Sequence, residues 1–287
     1  MRGFLLVDKP SCVTSHDVVS IARRSLNIKR IGHAGTLDPF ATGLLLLGVG
    51  SATRMFRYMN LNPKVYEGKI RFGVATETQD PDGRIIETKD FDLLTLEKIR
   101  NVSKEFVGDG TQLPPMYSAV KVGGKPLYKF ARKGYDIERK ERTIHVFDFE
   151  IISYESPYAD FVVSCSEGTY VRTLAHDLGL RLGTVAHLSQ LRRIAIGPFR
   201  IEDSVPPNDI NESQVIPIES VIDNFMKSFV LEDAKCIAIQ NGQKIPWTTT
   251  PHRDPFALLN QQNKLVAIAH AREGHCFPEC VFSEEVS

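Results

Sequence analysis

The stretch GHAGTLDPFATG, residues 32–43, places one carboxylate, Asp38, among small and apolar residues. A carboxylate in such surroundings is costly to desolvate unless it is paired, so Asp38 is a candidate nucleophile or charged partner. The same residues also suit an ordinary turn, because Asp-Pro starts turns well and the three glycines permit unusual backbone angles. The stretch alone leaves both interpretations open.

Several common chemistries are excluded by the rest of the chain. The sequence contains no phosphate-binding G-x-x-x-x-G-K-[ST] loop, no G-x-S-x-G elbow, no H-E-x-x-H helix and no C-x-x-C pair. An aspartyl-phosphate mechanism needs a second carboxylate to help hold magnesium, and LDPFAT has none. His275, Cys276 and Cys280 could ligate a metal, but they lack the paired cysteines of a structural zinc site. We therefore expect no metal site.

A second candidate for function is the basic segment 121–142. It contains eight Lys or Arg residues against three Asp or Glu residues, with Tyr128, Phe130 and Tyr135 between them. A local basic and aromatic patch can bind nucleic acid, although most charge runs are solvated surfaces. The net charge of the whole chain is zero, so composition neither proposes nor excludes such a partner.

The composition of the chain is that of a globular protein, whose helices and strands must position Asp38 and the basic segment. The 287 residues are 42% hydrophobic and 24% charged, and the five scattered cysteines do not form a disulfide framework. The opening MRGFLLVDKP reads as a strand and not as a signal peptide. No apolar run approaches the roughly 18 residues that a membrane span needs. We expect a cytoplasmic protein that does not contact a membrane.

The hydrophobic pattern mixes helices and strands. GFLLVDKP and GLLLLGVG read as strands, TSHDVVSIARRSL as a helix capped by Thr14 or Ser15, and SATRMFRYM as a short helix capped by Ser51. QDPDGRIIET predicts a hairpin turn, and TYVRTLAHDLGLRL a helix that follows a glycine. The irregular alternation predicts an α+β fold on a mixed, mostly antiparallel sheet with flanking helices.

A domain boundary is predicted from composition. Residues 202–220 are rich in Pro, Asn, Asp, Glu and Ser, and CIAIQNGQKIPW and KLVAIAHA beyond them read as weak strands. We predict a catalytic domain over residues 1–227 and a small β-rich module over residues 228–287.

Five blocks in the chain resemble a known family. GFLLVDKP, GHAGTLDPFATGLLLLGVGSATR, KVYEGKIRFGVATETQDPDG, LPPMYSAVKVGGKPLYKFARKG and EGTYVRTLAHDLG follow, in order, the blocks of the TruB family of tRNA pseudouridine synthases. The resemblance implies the pseudouridine synthase fold and conversion of the uridine at position 55, in the T-loop of tRNA, to pseudouridine. It implies no cofactor, because the bond broken and the bond made lie within one nucleotide. The tail resembles the family's C-terminal PUA module faintly.

The resemblance assigns roles to the centre of the site. Asp38 matches the family's nucleophilic aspartate, and Arg172 in GTYVRT matches the arginine that pairs with it. Tyr66 in KVYEG matches the tyrosine that stacks on the target base and handles its proton. Without the resemblance, Arg172 would read as a surface arginine and Tyr66 as an ordinary strand tyrosine.

Three further residues match positions around the target nucleotide. Tyr170 and Leu191 match residues that line the pocket, although both could equally be core residues. His33 matches a histidine that enters the T-loop in place of the extruded bases, and a turn histidine is the plain alternative. Ala34 departs from the threonine of some relatives, so we assign it no role.

The basic segment 121–142 coincides with the family's thumb loop, which closes on the T-arm, and we call it the thumb segment. We expect Lys125, Lys129 and Arg132 to bind RNA phosphates. The expected partner is the T-arm of tRNA, without a guide RNA, and we expect the protein to be a monomer. Two alternatives stay open: a chaperone that refolds tRNA, with catalysis secondary, and the catalytic subunit of a guide-RNA particle.

Overall fold

The structure is a computed structural model that describes residues 1–118, 120–135, 137–248 and 255–282. Residue 136 of the thumb segment and residues 249–254 and 283–287 of the predicted C-terminal module therefore lie outside the described residues.

Strands and helices alternate irregularly along the chain, as the sequence pattern predicts. The strands are β1 (Gly3–Lys9), β2 (Ile31–His33), β3 (Thr42–Val49), β4 (Lys64–Phe72), β5 (Val74–Thr76), β6 (Ile85–Thr88), β7 (Gly108–Gln112), β8 (Lys121–Val122), β9 (Lys125–Pro126), β10 (Arg142–Glu155), β11 (Tyr158–Cys165), β12 (Ala186–Ile196), β13 (Phe199–Arg200), β14 (Ser228–Val230), β15 (Ile245–Pro246), β16 (Phe256–Leu259), β17 (Leu265–Arg272) and β18 (His275–Val281). The α-helices are α1 (Ser15–Ser25), α2 (Leu96–Ser103), α3 (Leu127–Ala131), α4 (Val171–Arg181) and α5 (Asp233–Gln240).

A large mixed sheet forms the centre of the protein. Within the described residues it has nine strands, in the order β1-β3-β12-β4-β11-β10-β7, with β2 paired to β3 and β13 paired to β12. The pairing of β3 with β12 is parallel, and the other pairings in this sheet are antiparallel. The predicted α+β fold with a mixed, mostly antiparallel sheet is confirmed.

Local sequence accounts for the helices beside the site. Helix α1 begins at a capping box, in which the Thr14 hydroxyl accepts from the Asp17 N–H and the Asp17 carboxylate accepts from the Thr14 N–H. Helix α4 packs closely on β12, because a Cβ at Gly179 would lie only 2.6 Å from the Ala186 nitrogen. Close packing at Gly179 therefore holds the C-terminal part of α4, the helix that carries Arg172 in its first turn, against the start of β12.

Two local predictions are wrong. Gly50–Tyr58 is a 3-10 helix whose N-cap is Val49, without a side-chain cap from Ser51. The predicted strand CIAIQ is part of α5, because Cys236 and Ile239 lie three residues apart and both point into the core of the C-terminal module.

The C-terminal part is a small β-rich module, as predicted. Its described strands form a sheet in the order β14-β16-β17-β18-β15, with α5 against β17 and β18. Apolar side chains of this module, including Leu259 and Ile268, share a hydrophobic core with Phe4 and Leu46 of the large sheet. The boundary at residue 227 and the PUA likeness stay predictions. Among the described residues, no helix has the length and apolar character to cross a bilayer.

The sheet order brings the Asp38 loop to the middle of the sheet. The loop, residues 34–41, connects β2 to β3, and β3 pairs with β12 next to β4. Gly43 makes this pairing possible, since its φ is +102° and a Cβ there would lie 2.3 Å from the Arg193 carbonyl oxygen. The loop therefore lies beside β12 and β4, whose side chains complete the site.

Candidate active site

The loop that carries Asp38 is held in place by hydrogen bonds from Ser15 and Lys9. The Leu37 N–H donates to the Ser15 hydroxyl at 2.9 Å, and that hydroxyl donates back to the Leu37 carbonyl at 3.1 Å. The buried Lys9 ammonium donates to three carbonyl oxygens, those of Pro10, Val13 and Pro39, at 2.9, 2.8 and 3.2 Å. These contacts fix the loop on both sides of Asp38.

Arg172 is the main partner of Asp38. Its Nη2 donates to Asp38 Oδ1 at 3.1 Å, and its Nε lies at the ion-pair distance of 2.9 Å from Oδ2. The other side of the guanidinium donates from Nη1 to Asp80 Oδ2 at 3.1 Å and to the Thr78 carbonyl at 2.7 Å. Nη2 also donates to the Tyr117 carbonyl at 2.8 Å, next to the thumb segment. The side chain of Arg172 is 2% exposed, so this buried cation joins four segments of the chain.

Two opposing effects set the protonation of Asp38. Burial raises the pKa of Asp38 above its ordinary value, and the charges of Arg172 and Lys9 oppose that rise. Burial also lowers the pKa of Lys9 to about 8, against the attraction of Asp38. The Arg172 contact therefore favours the ionised carboxylate that a nucleophile requires.

A cavity of about 490 Å³ opens over Asp38. Its wall includes Tyr66 from β4, Tyr170 at the N-terminus of α4 and Leu191 from β12. Tyr66 is 7% exposed, and burial raises the pKa of its phenol, so the hydroxyl keeps its proton at neutral pH. The cavity thus combines a carboxylate, an aromatic ring and an apolar wall, which suits a flat, uncharged base.

A larger groove of about 780 Å³ lies next to this cavity. Its charged wall residues are Glu67, Asp82, Asp160 and Arg192, so carboxylates outnumber cations there. An excess of carboxylates repels phosphate groups, which makes this groove the poorer candidate for a nucleic-acid site.

The remaining sequence candidates lie outside the cavity. His33 is the last residue of β2, it is half-buried, and burial together with the nearby Arg193 charge lowers its pKa. Lys125, Lys129 and Arg132 are all exposed, on the short β8–β9 hairpin and the turn of helix that follows it. The thumb segment therefore presents its cations to solvent, near the Arg172 contact at Tyr117.

Sequence reasoning missed four charged residues of the site. Asp80 pairs with Arg172, and Lys64, Glu167 and Arg193 line the cavity. Asp80 lies in the stretch assigned to a hairpin turn, 92 residues from Arg172, so no local spacing joins the two. The spacing of Lys64 and Tyr66 on one strand was a usable signal, because residues i and i+2 share a face.

The cysteines of the C-terminal module are placed apart from this cavity. Cys276 and Cys280 are buried in strand β18. In the part of the chain that the structure describes, no group of three His, Cys, Asp or Glu residues is arranged to hold a metal ion.

Comparisons with known proteins agree with this architecture. The family described as TruB family pseudouridylate synthase (N terminal domain) matches residues 23–171, and the one described as tRNA pseudouridylate synthase B C-terminal domain matches residues 172–232. A tRNA pseudouridine synthase B from Opitutus terrae is 50% identical, with 76% of this chain and 93% of that protein covered. The protein of that name from Halalkalibacterium halodurans is 40% identical, with 99% of each chain covered.

A solved structure extends the likeness to three dimensions. The crystal structure of a Cbf5-Nop10-Gar1 complex contains a chain with a TM-score of 0.71 and 27% identity, covering 99% of this chain and 84% of that one. The mixed sheet, together with these matches, defines a pseudouridine synthase, an isomerase that turns uridine into pseudouridine within RNA. The chain belongs to the TruB family.

Proposed function

We propose that this enzyme acts on tRNA and converts the uridine at position 55, in the T-loop, to pseudouridine, with Asp38 as the nucleophile. The observation that carries the proposal is the Asp38 carboxylate, which faces the cavity and is paired with the buried Arg172. The names of the similar proteins from Opitutus terrae and Halalkalibacterium halodurans support tRNA as the substrate.

The reaction exchanges one bond of a single nucleotide. Asp38 attacks the nucleotide, on either the base or the sugar, and the bond between N1 of uracil and C1′ of ribose breaks. The detached uracil rotates and its C5 bonds to C1′, and the bond between Asp38 and the nucleotide breaks, which returns the free carboxylate. The C5 proton is lost, and N1 gains a proton. Atoms balance without an added reactant, so the proposal requires no cofactor.

The wall of the cavity suits a base that has left its stack. We assign the ring of Tyr66 to stacking on the uracil, which contributes about 1 to 3 kcal/mol and partly offsets the cost of extrusion. Tyr66 also handles the proton in this scheme, while Tyr170 and Leu191 exclude water. We assign His33 to the position that the extruded bases leave in the T-loop. Lys125, Lys129 and Arg132 bind phosphates of the T-arm from the thumb segment.

We further propose that the enzyme acts as a monomer without a guide RNA. The absence of a guide RNA agrees with the neutral composition, because no lysine-rich run outside the thumb segment offers a place for a second RNA. The ion-paired Asp38 favours a catalyst over a pure RNA chaperone, which would not need a paired carboxylate that faces the cavity.

The test is tritium release from RNA labelled at C5 of uracil, with purified enzyme and no other protein or RNA. The substrates are a whole unmodified tRNA, its isolated T-arm stem-loop, and the same uridine placed in a continuous duplex. We expect the stem-loop to react nearly as fast as whole tRNA and the duplex to fail, because loop bases need less unstacking than duplex bases.

The variant Asp38→Asn should lose turnover and keep stem-loop binding, because the amide preserves the shape and removes the nucleophile. The exposed Asp203→Asn is the matched control and should keep full turnover. Pseudouridine formed by Asp38→Asn would refute the nucleophile, and modification of the duplex at the stem-loop rate would refute recognition of the T-loop.

A further inference from the structure

Lys64 is a buried cation in the wall of the cavity that the proposed reaction does not use. Its side chain is 6% exposed, and Lys64 and Tyr66 lie two residues apart on β4, so they share the face that lines the cavity. Its Nζ donates to Glu167 Oε1 at 3.1 Å. Burial lowers the pKa of Lys64, and the Glu167 charge opposes that change. Burying a charged lysine costs desolvation free energy, so we looked for a binding role of Lys64.

Glu167 is an unusual partner for a buried lysine because its own side chain is 63% exposed. It lies on the turn between β11 and α4, and its backbone N–H donates to Asn62 Oδ1 at 2.7 Å. Gly168 follows it with a φ of +86° and open space where a Cβ would lie. The Glu167 carboxylate can therefore return to water, and the cost of leaving the buried Lys64 is offset when another anion takes its place.

The wall around Lys64 carries more positive than negative charge. A Cβ at Gly35 would lie 2.9 Å from Lys64 Nζ and 3.7 Å from Arg193 Nη1, so the two cations meet at this glycine. Arg193 is 1% exposed and donates to two carbonyl oxygens, those of Leu44 and Gly35, at 2.7 and 3.2 Å. Among the ion pairs of the described residues, none involves Arg193. This side of the cavity thus fits an anion.

We propose that the Lys64 ammonium binds a phosphate of the target nucleotide, and that Glu167 occupies the phosphate position in the RNA-free protein. The inference rests on the proposed function, in which the target base lies on Tyr66. Two residues of a strand span about 7 Å, which is a distance that one nucleotide covers between base and phosphate. A lysine acts as a point charge for phosphate, and an incoming phosphate displaces the Glu167 carboxylate.

Because the phosphate must displace the Glu167 carboxylate, Glu167 competes with RNA for Lys64. This competition predicts a change in the salt dependence of RNA binding when Glu167 is replaced. In the wild type, the Lys64–Glu167 pair has no net charge, so it neutralises little phosphate charge and releases few of the cations condensed on the RNA. In Glu167→Gln, the charge of Lys64 is unbalanced, so it neutralises one phosphate and releases the cation condensed there. The slope of log K against log salt should therefore steepen by about 0.7 to 0.9.

The experiment measures equilibrium binding of the T-arm stem-loop at a fixed pH of 6.5 over a series of salt concentrations; a low pH is chosen because burial lowers the pKa of Lys64. We expect Lys64→Gln to weaken binding about tenfold, as for one charge-assisted hydrogen bond, and Lys64→Arg to restore most of it. Glu167→Gln should tighten binding about two- to fivefold at low salt, which is the range for a partly exposed ion pair. In the double variant, the gain from Glu167→Gln should vanish.

A second arm replaces the phosphate on the 5′ or the 3′ side of the target uridine by a neutral methylphosphonate. One of the two replacements should weaken wild-type binding about tenfold and leave Lys64→Gln binding unchanged. Lys69→Gln is the matched control, because Lys69 lies on β4 with a carboxylate partner at 3.1 Å and does not line the cavity. It should respond to the methylphosphonates like the wild type.

The proposal is overturned if neither methylphosphonate distinguishes wild type from Lys64→Gln, or if Glu167→Gln weakens binding with an unchanged salt slope. A purely structural role for the pair gives that second result, together with a lower melting temperature. Failure of the proposed function is a separate result, because the wild type would then form no pseudouridine in the unmodified stem-loop.

Discussion

The Arg172→Lys variant tests whether the geometry of the guanidinium, and not only its charge, holds Asp38, the proposed nucleophile. The wild-type side chain makes four hydrogen bonds, to Asp38, Asp80 and the carbonyl oxygens of Thr78 and Tyr117. A lysine keeps the positive charge, but its ammonium is one point at the end of a flexible chain and cannot span partners on two sides. It therefore leaves at least one buried carboxylate or carbonyl without its donor.

The expected loss follows from this count of contacts. The lysine keeps the charge, so the loss is that of a buried hydrogen-bonding group left without its donor, about 1 to 3 kcal/mol. If Asp38 loses its fixed position, this free energy appears in the reaction barrier. At about 1.4 kcal/mol for each factor of ten, the chemical step should slow by about 5- to 150-fold.

The assay is single-turnover pseudouridine formation with enzyme in excess over the T-arm stem-loop, together with stem-loop affinity and thermal unfolding. The matched control is Arg181→Lys on the same helix, where the arginine pairs with Glu105 at 2.9 Å and both side chains are 55% exposed. The control should react at the wild-type rate. A wild-type rate in folded Arg172→Lys would refute the requirement for a planar guanidinium at Asp38.

Two further predictions follow from the charges of the site. Burial raises the pKa of Asp38, and the proposed reactive form is the deprotonated one. As the pH is lowered, kcat/KM should therefore begin to fall at a pH above the ordinary pKa of an aspartate. A fall only at or below that ordinary pKa would contradict the argument. Replacing Lys125, Lys129 and Arg132 by alanine should flatten the salt dependence of stem-loop binding by about 2 in slope, because three phosphate contacts are lost, and an unchanged slope would make the thumb segment a solvated surface.

Much of the fold could be predicted from patterns within single elements. The buried strand GLLLLGVG and the capped helix after Thr14 are set by neighbouring residues, and the structure has both. The two wrong local predictions concern segments whose residue types suit more than one backbone structure. Ser51 suits a helix cap by residue type, but the backbone turns tightly from Val49 into a 3-10 helix. CIAIQ is apolar enough for a strand, and only packing against the module core makes it helical.

The candidate site was less accessible to local reasoning because its charges come from distant parts of the chain. Asp38 attracted attention as a carboxylate in an apolar loop, whereas Arg172 was assigned only through the family resemblance. Asp80, Lys64 and Arg193 were missed, since a charged residue in a turn or strand is unremarkable until the sheet order places it in a cavity. The strand order β3-β12-β4 is the information that brings them together, and no short window of sequence contains it.

The contacts of Arg172 connect Asp38 to the chain beside the thumb segment. The guanidinium that holds Asp38 also donates to the Tyr117 carbonyl, just before the thumb segment, and to Thr78 and Asp80 beside the hairpin. A displacement of Tyr117 would remove one of the four hydrogen bonds of this buried cation, and a buried donor without a partner costs about 1 to 3 kcal/mol. The arginine is therefore best paired when the Tyr117 carbonyl lies as it does here. In the proposed function, RNA that held the chain at Tyr117 in this position would also keep Arg172 against Asp38, so RNA binding and the orientation of the proposed nucleophile would depend on the same side chain.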